Sequence, residues 1–210
     1  MTAPARDLPR YTVQHITTAR IDWSTATRLD SFSFPWEDTL PPKTEFKALW
    51  DQERLHFLFD CVDDHLVQGT GETLKERVLA SDRVEIFLAP SLDLNPYYCL
   101  EMTPAGEALA YSARTYREFD WEWAVPDLHL ETEVRGSRYS VQGSIPLETL
   151  RSLGILKEGS QEFYAGVYRA EFTPDAEGEV HSGWMPWVNP GTEKPDFHVP
   201  GSFGIFELMP

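Results

Sequence analysis

Apolar and polar residues alternate with a period of two along most of this chain, the signature of strands that turn one face to a core. The clearest case is Asp82-Arg-Val-Glu-Ile-Phe-Leu88, where Val84, Ile86 and Leu88 fall on one face and Arg83 and Glu85 on the other. After a turn rich in Pro, Asp and Asn, Tyr97–Thr103 repeats the pattern. Tyr98, Leu100 and Met102 share one side, and Tyr97, Cys99 and Glu101 the other. Phe46–Trp50 and Leu55–Val62 flank Asp51-Gln-Glu-Arg54 as a hairpin, and Leu128–Val134 with Tyr139–Ile145 form another about Arg135-Gly-Ser137. Further strands are predicted over Tyr11–Val13, Ala108–Ser112, Phe163–Phe172 and Phe203–Leu208. Pro146–Gly154 reads as the best helix, with Pro at its start and Gly as its stop, while Glu72–Leu79 has room for a helical turn or two. Short strands at regular spacing predict an all-β fold, an antiparallel β-sandwich of jelly-roll or immunoglobulin-like type with one short helix, forming a single domain over residues 1–210.

One stretch breaks the alternation. Gly183–Gly204 holds two Trp, two Phe, one His, four Pro and four Gly. Pro and Gly deny it regular hydrogen bonding, so it is predicted to be an ordered, irregular loop that presents aromatic rings. Rings on a stiff loop suit a flat, partly apolar ligand such as a sugar, whose axial C–H face is apolar.

Composition narrows the function by exclusion. The net charge of −16 and pI near 4.7 argue against nucleic acid and anionic membrane surfaces, both of which need a basic face. Cys61 and Cys99 each sit in a predicted strand without metal-ligand spacing, which predicts buried free thiols, a disulfide between them being the alternative. Met1–Arg10 lacks the apolar core of a leader peptide, and no apolar run approaches the ~20 residues of a membrane span. The sequence as given is therefore expected in the cytoplasm, or secreted if it is a trimmed piece. It does not specify an oligomeric state.

Enzyme signatures are sparse. Gly69-Thr-Gly-Glu72 lacks the third Gly and the Lys of a phosphate loop, Gly201-Ser-Phe-Gly204 lacks the spacing of a nucleophile elbow, and the six His form no zinc pattern. Asp63-Asp64, Asp93 with Asn95, and Asp175 with Glu177 are oxygen-rich turns without EF-hand spacing. Glu85 and Glu101 are the exception: if their strands pair, both carboxyl groups emerge on one face. Glycoside hydrolysis needs two carboxyls ~5–9.5 Å apart, which makes a glycoside hydrolase the alternative to a binding protein.

Several blocks together resemble the family 9 carbohydrate-binding modules and their free-standing relatives. Phe46–Asp64 is similar to the family's opening hairpin, and Ser81–Leu88 with Tyr97–Pro104 to its central strand pair. Trp187-Val-Asn-Pro, with Pro195-Asp-Phe-His-Val-Pro-Gly-Ser-Phe-Gly204, is similar to its closing loop. The match runs in order over about residues 44–208. It implies a jelly-roll-like sandwich that binds glycans or glycan ends in carbohydrate catabolism, often attached to xylanases. Such modules clamp a sugar between two Trp, with Glu, Arg, Gln and Asn as hydrogen-bonding partners, and some hold structural Ca²⁺. Here the Glu corresponds to Glu85 and one Trp to Phe197. The other Trp falls at Leu79, the Arg at Cys99 and the Gln near Tyr168.

The expected reading is a non-catalytic carbohydrate-binding domain. Phe197 is the stacking platform with Trp187 as its support, Glu85 and Arg83 are the hydroxyl ligands, and Tyr168 and His198 are further contacts. A third reading is an interaction domain with a decayed sugar site. A groove lined by Phe197, Arg83 and Glu85 favours sugar binding, whereas direct collapse of Leu79 onto Phe197 favours decay.

Overall fold

The computed structural model describes residues 8–18 and 20–210. Residues 1–7, part of the segment on which the expected absence of a leader rests, lie outside the described residues. Twelve strands and two short helices follow in order: β1 Arg10–His15, β2 Thr44–Trp50, β3 Arg54–Val62, α1 Leu74–Leu79, β4 Arg83–Ala89, β5 Tyr97–Met102, β6 Ala108–Arg114, β7 Glu118–Asp120, β8 His129–Val134, β9 Arg138–Pro146, α2 Leu147–Ser152, β10 Glu162–Pro174, β11 Val180–Pro186 and β12 Gly204–Leu208. One sheet runs β7-β6-β5-β4-β10-β12-β1, with β11 paired to the far half of β10. The other runs β1-β2-β3-β9-β8. The sandwich predicted from the alternation is present. It departs from expectation in having two short helices instead of one, and in two parallel pairings.

Both parallel pairings involve β1. Arg10–Val13 lie beside Ile205–Leu208 of β12, and Gln14–His15 beside Leu49–Trp50 of β2, so one strand is shared by the two sheets. All other ladders are antiparallel; those between consecutive strands are hairpins, while β3–β9, β4–β10 and β10–β12 join strands distant in sequence. No helix among the described residues is long and apolar enough to cross a membrane.

The main core lies between the sheets. Phe46, Phe57 and Phe59 from one side meet Ile86, Val167 and Phe206 from the other, each at most 1 % exposed. A second apolar cluster covers the outer face of the first sheet. Phe87, Tyr97, Cys99, Tyr111 and Tyr168 emerge there, and Phe197 and Phe203 from the irregular segment after β11 close over them. This sheet is thus buried on both faces, and all seven residues of β4 are buried, Arg83 and Glu85 included. Alternation correctly sorted β4 into two faces, but its polar face meets the loop and not bulk water.

Cys61 is in the core between the sheets and Cys99 in the outer cluster. Both are free and buried, in line with the first reading of their sequence context. Burial lifts the Cys61 thiol to about 11 and that of Cys99 well above its usual range.

Candidate functional site

Strands β4 and β5 pair in a register that sets Glu85 directly opposite Glu101. Both carboxyl groups rise on the outer face, as alternation predicts, and the Arg83 guanidinium lies between them. Its Nε donates to Glu101 Oε2 at 2.6 Å and lies 3.0 Å from Glu85 Oε1. Arg83 Nη1 donates to the carbonyls of Leu79 and Ser81, which ties this floor to the end of α1. Tyr111, on β6, donates its hydroxyl to Glu101 Oε1 at 2.7 Å.

The two carboxyl groups therefore differ. Glu101 accepts a bond on each oxygen, whereas Glu85 Oε1 meets Arg83 Nε only as an ion pair, without a well-aligned hydrogen bond. Burial first, and then the Glu101 charge, push the Glu85 carboxyl up to about 8, against the pull of Arg83. Two like charges across one register position cannot both be held cheaply, so Glu85 keeps its proton near neutrality.

A cavity of about 720 Å³ opens above this floor. One side is the loop after β11, which contributes Trp184, Asp196, Phe197 and His198. The other is α1 with Lys75 and Leu79, and the β7 region with Phe119 and Trp121. Thr73 and Glu76 form a reciprocal capping box that starts α1, a local signal that explains why six residues hold a helix here. The loop is pinned across the mouth by Asp196, which accepts from the Tyr116 hydroxyl at 2.5 Å and from Arg117 at 3.1 Å. His198 shares a 2.9 Å hydrogen bond between its Nδ1 and the Tyr97 hydroxyl. Burial lowers the imidazole to about 4, so it is neutral near pH 7.

The structure thus brings together Arg83, Glu85, Glu101, Phe197 and His198. It separates two other expected contacts. Trp187 sits in the inter-sheet core beside Tyr11 and Phe206, with its ring against Gly204, where an added Cβ would come within 2.5 Å of the indole. It supports the fold and not the Phe197 ring. Tyr168 lies fully buried behind Phe197, stacked on it and hydrogen-bonded to Ser202. Phe197 itself is only 5 % exposed, so it is more wall than open platform.

Four lining residues are not among the contacts expected from sequence: Lys75, Tyr111, and Phe119 and Trp121, whose alternating run reads as core or rim. The alternation in Phe119-Asp-Trp-Glu-Trp123 does place the first two rings together, 5.0 Å apart at the cavity. Trp123 leaves that series and packs on Tyr98. Trp121 stands on the same side of the cavity as Leu79, the position where the family resemblance lacked its second Trp, with Lys75 Nζ 3.6 Å from its ring centroid.

A second polar cluster lies deeper in the sandwich. Carboxylate oxygens of Asp63, Asp82 and Glu171 are within 4.8 Å of one another, the arrangement a Ca²⁺ ion would use. These residues do not fit the ion as they stand. Arg169 Nη2 already bonds to Asp63 and Glu171, its Nη1 reaches Thr44 Oγ1 at 3.0 Å, and the two Asp82 oxygens accept the amides of Val67 and Phe172. The guanidinium supplies the positive charge from within the chain. Burial still raises Asp82 to about 7 and Glu171 to about 8.

Residues 18–210 match the family model described as "Carbohydrate family 9 binding domain-like". A search of curated proteins finds no significant match. Among solved structures, the chain is similar to a Bacteroides uniformis protein with a proposed role in carbohydrate binding: TM-score 0.76, 15 % identity, covering 95 % of this chain and 99 % of that one. It is also similar to a family 9 carbohydrate-binding module from Caldicellulosiruptor kristjanssonii. The module in complex with cellotriose gives a TM-score of 0.62 at 15 % identity, over 95 % of this chain and 93 % of that one. In complex with glucose the values are 0.57 and 17 %, over 96 % of each chain.

Proposed function

The chain belongs to the carbohydrate family 9 binding domain-like family, and we propose that it is a non-catalytic carbohydrate-binding domain whose ligand enters the cavity between the Phe197 loop and α1. The observation that carries this reading is Glu85. Its Oε1 has the Arg83 guanidinium 3.0 Å away but no well-aligned hydrogen bond, and the missing bond, about 1 kcal/mol, is one that a ligand hydroxyl in the cavity would supply. Arg83 and Tyr111 hold the neighbouring Glu101 in a fixed place, so the polar floor is preformed. Aromatic walls from Trp121, Phe119 and Trp184 suit the apolar face of a pyranose. The open cavity between Leu79 and Phe197 favours a working site over a decayed one.

The pairing of Glu85 with Glu101 gives little support to hydrolysis. Both oxygens of Glu101 are engaged by Arg83 and Tyr111, which leaves it poorly placed to attack a sugar or activate water. Two of the similar solved structures are complexes with cellotriose and glucose, which supports a glucose-type ring as the first ligand to try.

The test is calorimetry and glycan-array binding of the wild type beside Glu85→Gln and Glu85→Ala. Loss of binding in Glu85→Ala with an unchanged far-UV spectrum is the expected result. Equal affinities in all three proteins would remove Glu85, and with it this cavity, from the function.

A further inference from the structure

We infer that the saccharide taken by this cavity is anionic, a sugar bearing a carboxylate, phosphate or sulfate group, and not a neutral glucan end. The inference rests on the reading of the cavity as a sugar site. Its basis is an uneven distribution of charge. Four cations line the cavity, Lys75, Arg83, Arg117 and Lys194. Arg83 is answered by Glu101 and Arg117 by Asp196. Neither lysine has an ion-pair partner among the described residues, and the third carboxyl group, Glu85, is held in its neutral form by burial. A chain of net charge −16 therefore carries a local positive excess at this one opening.

The neighbouring cavity shows that the excess is local. Across Trp184 and Pro195 lies a second opening of about 950 Å³ whose charged lining is Glu37, Asp64, Glu171, Asp175 and Glu193 with two histidines, and which has no Lys or Arg. An anion is repelled there and attracted to the lysine side, so the two openings sort ligands by charge.

The position of Lys75 adds a geometric reason. Its Nζ lies over the face of Trp121 that a neutral sugar would stack on. A neutral ring has to displace the ammonium and gains no compensating pair. A ring carrying a negative substituent leaves the ammonium over the indole and bonds to it, while Glu85 meets a hydroxyl at the floor.

The experiment is a glycan array holding neutral, uronate-containing and sulfated glycans, followed by calorimetry with glucose, glucuronate and glucose 6-phosphate. The proteins are wild type, Lys75→Gln, Lys194→Gln and the double variant; both lysines are exposed, so these substitutions spare the fold. At low salt the anionic sugars are expected to bind roughly five-fold or more tightly than glucose, and each substitution to cost about two- to five-fold for anions, while glucose is unchanged in Lys194→Gln and binds more tightly in Lys75→Gln, where no ammonium has to leave the indole. The ranking of glucuronate, glucose 6-phosphate and the sulfated glycans identifies which anion is preferred. Binding confined to neutral glycans, or anion affinity unmoved in the double variant, overturns the inference and leaves the sugar site intact. Binding to no glycan of any class overturns both.

Discussion

The rings of Phe197 and Tyr168 stack with centroids 4.2 Å apart and planes inclined by 15°. Tyr168 is held from behind by Ser202, whose one hydroxyl proton lies between two acceptors, the carbonyls of Phe197 at 2.6 Å and Val199 at 2.9 Å. The ring nominated by the resemblance as a sugar platform is thus one layer of the wall.

Phe197 and Trp121 should accordingly respond differently to truncation. Phe197→Ala removes a buried ring and is expected to cost about 3 kcal/mol of stability, with ligand binding lost as the loop shifts. Trp121→Ala removes a partly exposed wall, and is expected to cost about 1–2 kcal/mol in stability while lowering ligand affinity roughly ten-fold. Urea melts beside calorimetry separate the two. A Trp121 variant with full affinity would remove that ring from the site.

Stability should decline on the alkaline side of neutrality. Folded Glu85 keeps its proton to about pH 8, against an ordinary value of 4.5, and Asp82 and Glu171 behave alike with values of about 7 and 8. Between the unfolded and folded values the native state binds more protons, so these groups lose stability as pH rises through that window. His198 acts in the opposite sense. Its folded value of about 4 lies below the ordinary 6.5, so its contribution is lost as pH falls from 6.5 toward 4. Above 6.5 the carboxyl slope is unopposed by His198. Denaturation midpoints are expected to fall between pH 6.5 and about 8.5, and less steeply in Glu85→Gln. An identical slope in the variant would mean that Glu85 is already ionised at neutral pH.

Arg169 should behave as a resident cation. Arg169→Met leaves Asp63, Asp82 and Glu171 buried without their counter-charge, at an expected cost of about 3–5 kcal/mol at pH 7.5 that shrinks at pH 5.5 as Asp82 and Glu171 take up protons. Incubation of the wild type with EDTA should leave its melting temperature unchanged. A drop of several degrees with EDTA, restored by Ca²⁺, would show that a metal shares this cluster.

The two thiols should be silent in the native protein. Cys61 and Cys99 are at most 1 % exposed with raised thiol values, so Ellman's reagent is expected to react only at the rate of unfolding. Fast labelling of one thiol without denaturant would mean that its sheet opens locally.

Much of this arrangement was legible in the alternation of β4 and β5. Period two alone put Arg83, Glu85 and Glu101 on one face, and hairpin pairing then set the two carboxyl groups across from each other. Trp187 departs from its expected place because Gly183–Gly204 is not a single loop. Its first residues continue β11, whose alternation carries Met185 and then Trp187 into the inter-sheet core and leaves Trp184 outside. Tyr168 points outward as its strand requires, and only the tertiary stack with Phe197 hides it. Lys75 and Trp121 stand 46 positions apart in sequence, and no local pattern announces that α1 and the segment after β7 share a cavity.

The sharing of β1 between the two sheets bears on how the protein is made. β1 is an early strand of the described chain, yet its partner β12 ends at Leu208. β10 also reaches β1 only through β12. On the ribosome, therefore, β1 must wait with one edge unpaired until β12 has emerged. The seam where the sandwich closes is the pair with the greatest loop entropy to overcome, which sets closure late in folding.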